Sequence, residues 1–164
     1  MEILDLYDIN GDKLAKTIIR GKQKPADGEY IKLCVVYIKC GDKFLYQKCS
    51  EQKGGEYAVT GGHVPSGFTS LEQMVVELQE EVGLTVDKEK LELVASMVRD
   101  TAMFDIYYYR DDTLSDYTFT LQESEVDSVH WFTREEIENL IAKSLVRKSS
   151  AVHYERFIKN NDKY

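Results

Sequence analysis

Two prolines, Pro25 and Pro65, and three cysteines are all that this 164-residue chain contains of either type. Cys34, Cys40 and Cys49 form no Cys-x-x-Cys pair, which argues against a zinc knuckle or a disulfide framework and leaves them as buried or half-buried thiols. No apolar run approaches the ~20 residues of a membrane-crossing helix, so no membrane partner is expected. An excess of basic charge is missing too. With 21 Lys and Arg against 29 Asp and Glu, the net charge is −8. That balance argues against a nonspecific binder of nucleic-acid polymers, which carries a basic face. A nucleotide substrate stays open, because a bound metal ion offsets local negative charge. The start, Met1-Glu2-Ile3-Leu4-Asp5, has neither the basic nor the apolar region of a secretory signal, and a cytoplasmic location is the default expectation.

There are also no long linkers, repeats or low-complexity tracts, and 43% of the residues are hydrophobic. One domain over 1–164 with a substantial core is expected. Residues 4–20 read as two extended segments around a turn at Asn10-Gly11. A polar loop from Gly21 to Glu29 follows. Tyr30 to Lys39, rich in Val, Ile and Tyr, is a strand candidate, turning at Gly41-Asp42 into a partner at Lys43 to Lys48. Tyr57 to Thr60 runs into a Gly-rich loop. Further extended stretches are expected at Leu91–Arg99, Met103–Arg110, Tyr117–Leu121 and Val126–Phe132. Thr133 caps a helix from Arg134 onward, and a terminal helix is expected from about Ser149 to Lys159. This alternation predicts an α/β layered domain.

The most informative stretch runs from Gly61-Gly62-His63 to Glu80-Glu81-Val82-Gly83-Leu84. Thr69 and Glu72 form a Thr-x-x-Glu capping box that starts a helix after the loop. At ~100° per residue, Glu77, Glu80 and Glu81 share one stripe of it. Leu71, Val75, Leu78 and Val82 fall on the opposite stripe, with Met74 at its edge. Three neighbouring carboxylates repel one another unless a cation joins them, and an oxygen-only ligand set suits Mg²⁺ or Mn²⁺. A carboxylate cluster on a helix is, by itself, more often a solvated face. The flanking Gly pair and the terminating Gly83 shift that balance.

This stretch resembles the Nudix box, the signature of the Nudix hydrolase superfamily. Gly62 matches its first Gly, and Glu77-Leu78, Glu80-Glu81 and Gly83-Leu84 match its second half. Two positions depart: Phe68 stands where the box has Glu, and Val76 where it has Arg. Losing one acid and one base leaves the local charge unchanged. The pair reads either as decay or as retuning, in which Phe68 packs beneath the loop. The segment from Glu123 to Phe132 is similar to the late strand and helix entry of the same superfamily.

The resemblance implies a mixed β-sheet between α-helices, with the box as loop-helix-loop. It implies hydrolysis of a small-molecule diphosphate, usually a nucleoside diphosphate derivative. Glu77, Glu80 and Glu81 would be the catalytic and metal-binding acids, joined by the Gly62 carbonyl. A further acid often comes from outside the box. Glu123 and Glu125 are the candidates, Glu125 preferred, against the plain reading of exposed loop carboxylates. Lys48 is a candidate phosphate contact or an ordinary surface lysine. His63 can line the site, in a supporting more than a catalytic role, whereas His130 beside Trp131 reads as structural. Tyr107 and Tyr109 share one strand face and can stack on a base or sugar, with core packing as the alternative. The family resemblance also allows a homodimer.

Two rivals stand beside the metal-dependent hydrolase. Phe68 and Val76 favour a Nudix-fold module that binds nucleotide or protein with weak turnover. The start, Leu4-Asp5-Leu6-Tyr7-Asp8-Ile9-Asn10-Gly11, is similar to the isopentenyl-diphosphate-isomerase-like branch. Isomerases there use a Cys-containing motif and a His-rich metal site, which Cys34, Cys40 and Cys49 do not reproduce, so that reading ranks third.

Overall fold

A computed structural model describes residues 1–164. The frame is a seven-stranded mixed sheet. At its centre β3 (Ile31–Cys40) runs parallel to β8 (Ala102–Arg110), which pairs antiparallel with β7 (Glu92–Arg99). On the other side β3 turns at Gly41 into β4 (Lys43–Cys49), but the two pair only at Lys39–Phe44 and Cys40–Lys43. Beyond that they part. The short β6 (Gly61–His63) continues along β3, while β5 (Tyr57–Ala58) and β9 (Val126–Thr133) take the two edges of β4. The sheet therefore opens between β3 and β4, and the cleft described below lies at that opening.

Strand alternation divides β3 between two cores. Cys34, Val36 and Ile38 face α1 (Ser70–Val82), where they meet the fully buried Met74, Leu78 and Val82. Val35 and Tyr37 face the opposite layer, with Phe44, Tyr46 and Phe104, against Ile137 of α2 (Arg134–Ala142) and Tyr154 and Ile158 after α3 (Lys148–His153). The result is the mixed sheet between helices that the sequence led us to expect.

Both long helices start as read. Thr69 accepts from the Glu72 amide while Glu72 caps back, and Thr133 does the same with Glu136. Helix α1 ends at Gly83, φ 68°, with Gly83 and Leu84 amides donating to the carbonyls of Gln79 and Leu78. The buried face of α1 differs from the predicted stripe. It centres on Met74, Leu78 and Val82, Leu71 and Val75 are only half-buried, and Glu81 is buried at 7% exposure. One other expectation fails. Tyr117–Leu121 forms no strand, because its neighbourhood serves the end of α1: the Thr120 amide donates to Val82, the Gln122 amide to Glu81, and the Tyr117 hydroxyl to Gly83. The expected terminal helix is present, α-helical to His153 and widening into a single π turn over Tyr154–Ile158.

A separate two-stranded sheet, β1 (Ile3–Tyr7) and β2 (Lys13–Ile19), packs Leu4, Leu6 and Ile18 into its own small cluster. It joins the main body through paired backbone bonds of Tyr7 and Tyr30, each 2.9 Å. No helix is long and apolar enough to cross a membrane.

Candidate active site

Gly61 and Gly62 make the site possible by what they lack. A Cβ on Gly61 would run into the Cys34 carbonyl and Val35, and one on Gly62 would overlap the Glu77 carboxylate. The loop from β6 to α1 is pinned from the first hairpin. Asp5, 3% exposed, accepts from the Ser66 hydroxyl at 2.8 Å and the Gly67 amide at 3.0 Å, and pairs with Lys13 at 2.8 Å. Below, the Ser70 hydroxyl in the first turn of α1 donates to buried Asp105 at 2.5 Å and lies 2.6 Å from the Tyr107 hydroxyl. Both ends of that turn are thus fixed before the glutamates are reached.

Half-buried Glu77 and buried Glu81 each have a neutral amide beside them. Gln73, one helical turn earlier, donates to Glu77 at 2.9 Å. Gln47 on β4 donates to Glu81 at 3.1 Å and is itself held by the Thr60 hydroxyl at 3.0 Å. Burial pushes the Glu77 carboxyl up from the usual range and the Glu81 carboxyl up to about 8, each helped by a neighbouring acid. Glu80 is exposed. As they stand, no three His, Cys, Asp or Glu side chains close on one point, so the acids are spread along the cleft wall. The donor set nevertheless fits a hard divalent cation. It offers carboxylate oxygen beside a glycine carbonyl, and it holds a buried and a half-buried acid whose charged forms a cation would stabilise.

The cleft, about 390 Å³, gathers Gly62, His63, Glu77, Glu80, Glu81 and Glu125. Of the residues singled out from sequence, these six come together, and Glu123 stays outside on an exposed loop. Burial, with Arg20 and Lys53 opposing a second positive charge, keeps His63 neutral by lowering it to about 4. His130 is structural, stacked on Phe132 and 2.8 Å from the Ser128 hydroxyl.

Four of the residues singled out from sequence stand outside the cleft. Lys48 turns from the cleft to the Gly55 carbonyl and the face of Tyr57. Tyr107 and Tyr109 do share a face, but it is the face beneath α1, where both are buried in the core. Phe68 does not pack under the loop; it is 45% exposed.

Sequence reading missed the cationic part of the cleft lining. Arg20, Lys53 and Arg147 line the cleft together with Gln47 and Cys49. Lys53 pairs with Glu125 at 3.0 Å and Arg20 with Glu2 at 2.7 Å. Arg147 donates to the Cys49 thiol at 3.4 Å and to the Lys53 carbonyl at 3.0 Å. Burial raises the Cys49 thiol, so it stays protonated despite that arginine. The only prior signal for Gln73 was its place one turn before Glu77.

With this geometry in view, comparison with known proteins is direct. The NUDIX domain family model matches residues 32–155. The chain belongs to the Nudix family. A protein of Listeria innocua described as an uncharacterised Nudix hydrolase is 34% identical over 149 residues, 85% of each chain. Nudix hydrolase 3 of Arabidopsis thaliana is 26% identical over 159 residues, covering 87% of this chain but 20% of that protein. Among solved structures, a Deinococcus radiodurans protein superposes with a TM-score of 0.79 at 20% identity, over 96% of this chain and 99% of that one. A bifunctional NMN adenylyltransferase/ADP-ribose pyrophosphatase from Francisella tularensis, solved with AMP and a manganese ion, gives 0.62 at 14% identity, over 83% and 43%. Nudix hydrolases act generally on pyrophosphate substrates and generally use divalent metal ions.

Proposed function

We propose that this Nudix chain is a Mg²⁺- or Mn²⁺-dependent hydrolase of a nucleoside diphosphate derivative or a related small diphosphate. One observation carries the reading. The carboxylates of Glu77, Glu80, Glu81 and Glu125 share a single polar cleft with the cationic side chains of Arg20, Lys53 and Arg147. Such a cleft suits a multiply charged anhydride better than an apolar ligand. Glu77, Glu80 and Glu81 would hold the cation, with the Gly62 carbonyl and Glu125 as further ligands. When bound, the ion screens the anhydride charge, polarises a phosphoryl oxygen and lowers the pKa of water. The chain's own part is orientation. Gln73 and Gln47 fix one oxygen each of Glu77 and Glu81, leaving the other free.

A phosphate-release screen across nucleotide sugars, dinucleoside polyphosphates, nucleoside triphosphates and prenyl diphosphates tests this. Turnover of the best substrate should vanish with chelator. It should fall at least about tenfold in Glu81→Gln, or ~1.4 kcal/mol of barrier, with folding intact. Tight nucleotide binding without metal-dependent turnover would replace the hydrolase with the binding-module reading.

A further inference from the structure

Arg147 sits at a rigid junction. Its amide donates to the Tyr57 carbonyl at 2.8 Å, the Tyr57 amide donates to Leu145 at 2.9 Å, and the intervening Val146 is buried in the core. Its own carbonyl receives the Ala151 amide in the first turn of α3. The side chain therefore leaves a fixed backbone, half-buried, toward the cleft that holds Glu81 and Glu125. The chain carries more acids than bases, yet this guanidinium meets a thiol and a backbone carbonyl instead of a carboxylate. A thiol is a weak acceptor. Both bonds use the same nitrogen, Nη2, and leave Nε and Nη1 without a protein partner. The two other cationic side chains of the cleft, Arg20 and Lys53, each have a glutamate.

A guanidinium anchored through Nη2, with Nε and Nη1 still free, can give charge-assisted hydrogen bonds to an oxyanion in the cleft it lines. We propose that Arg147 is a substrate-binding residue that grips a phosphate group in the cleft it shares with the glutamates of α1. Naming that anion a phosphate rests on the hydrolase reading. The Cys49 thiol and Lys53 carbonyl hold the guanidinium in place, and the glutamates of α1 set where the other end of the diphosphate goes. A purely architectural Arg147, one that only ties the Glu51–Lys53 turn to α3, would have no use for the free Nε and Nη1 donors.

The probe is imidodiphosphate, a diphosphate analogue that resists hydrolysis, with Mg²⁺ present. Its affinity by calorimetry should fall about tenfold or more in Arg147→Gln, the loss of a charge-assisted contact. Arg147→Lys should recover part of the affinity, because it keeps the charge but not the anchored guanidinium. Mn²⁺ affinity without the analogue should hold in both variants. Unchanged imidodiphosphate affinity in a folded Arg147→Gln overturns the proposal. The unaltered protein gives an arm that does not depend on any variant folding. Phenylglyoxal labelling of Arg147, followed by peptide mass, should slow when imidodiphosphate is bound. Equal labelling with and without the analogue also overturns it. Hydrolysis is scored separately. Protection of Arg147 in a protein that cleaves no diphosphate would sink the hydrolase reading and keep the anion site. Turnover with neither protection nor loss of affinity would sink Arg147 alone.

Discussion

Gln73 and Gln47 explain how the two acids of α1 stay oriented although Val76 replaces the arginine of the family box. A neutral amide directs a carboxylate without neutralising it, so the charge remains for a cation. Replacing Gln73, itself only 6% exposed, by Leu should leave the fold intact and release Glu77. We expect kcat to fall roughly tenfold with little change in melting temperature, in line with the loss of one hydrogen bond to a charged group. A Gln73→Leu enzyme with parental kcat would remove the orienting role. Another single residue governs acid stability. His153 is fully buried beside Phe104, with neither ring nitrogen bonded. Burial, with Arg99 and Arg156 nearby, lowers it to about 4 from an ordinary 6.5. The unfolded chain therefore binds a proton between those values that the folded chain refuses. Stability from this group is present above about pH 6.5 and is lost as pH falls toward about 4, by a total on the order of 3 kcal/mol. Urea unfolding at pH 7 and near the lower end of that window should show a flatter pH dependence in His153→Leu than in the parent. Parallel curves would assign the acid sensitivity elsewhere.

At the scale of elements, α1 is the part most fully written in the sequence. Its capping box, its Gly83 terminus and its glutamate spacing all lie within one contiguous stretch, where local rules suffice. Thr69→Ala should cost about 1 kcal/mol through loss of the cap. In a protein of this size that corresponds to a melting temperature lower by ~2–4 °C. Because Ser70 is tied to Asp105 and Tyr107 independently, turnover should survive the change, and calorimetry beside a rate assay checks both. The strands around the turn at Gly41 were legible for the same reason. Tyr117–Leu121 was not. Its composition suits a strand, but the carbonyls left free at the end of α1 took the amides on offer. The buried position of Glu81 was also hidden, since helical spacing gives angles between side chains and not which sector meets the sheet. Tyr107 and Tyr109 show the converse: alternation grouped them correctly, but only the position of α1 decides that their shared face is interior.

For the whole molecule, the cleft is assembled from positions as far apart as Arg20, Gln47, Glu81, Glu125 and Arg147. The acidic half arises largely within one helix and could be read; the basic half is spread over three segments and could not. A cation bound across these elements would cross-link the α1 wall to the loop before β9. Saturating Mg²⁺ or Mn²⁺ at ~100 times its dissociation constant should stabilise the fold by about 2.7 kcal/mol, seen as a rise in melting temperature. The rise should shrink in Glu77→Gln and Glu81→Gln. An equal rise in both variants would mean that the ion binds somewhere else.

The Asp5 bond to the Gly67 amide carries a dynamic corollary. That amide belongs to the loop feeding α1, but its acceptor stands on a two-stranded hairpin outside the family-matched stretch of 32–155. Small isolated sheets open more readily than broad ones, and an amide exchanges with solvent only when its acceptor lets go. In deuterated water Gly67 should therefore keep time with the hairpin and not with β3 or β8. Two families with the same box but different leading hairpins would then differ in how often the loop breathes, and that rate is inherited from residues far outside the motif.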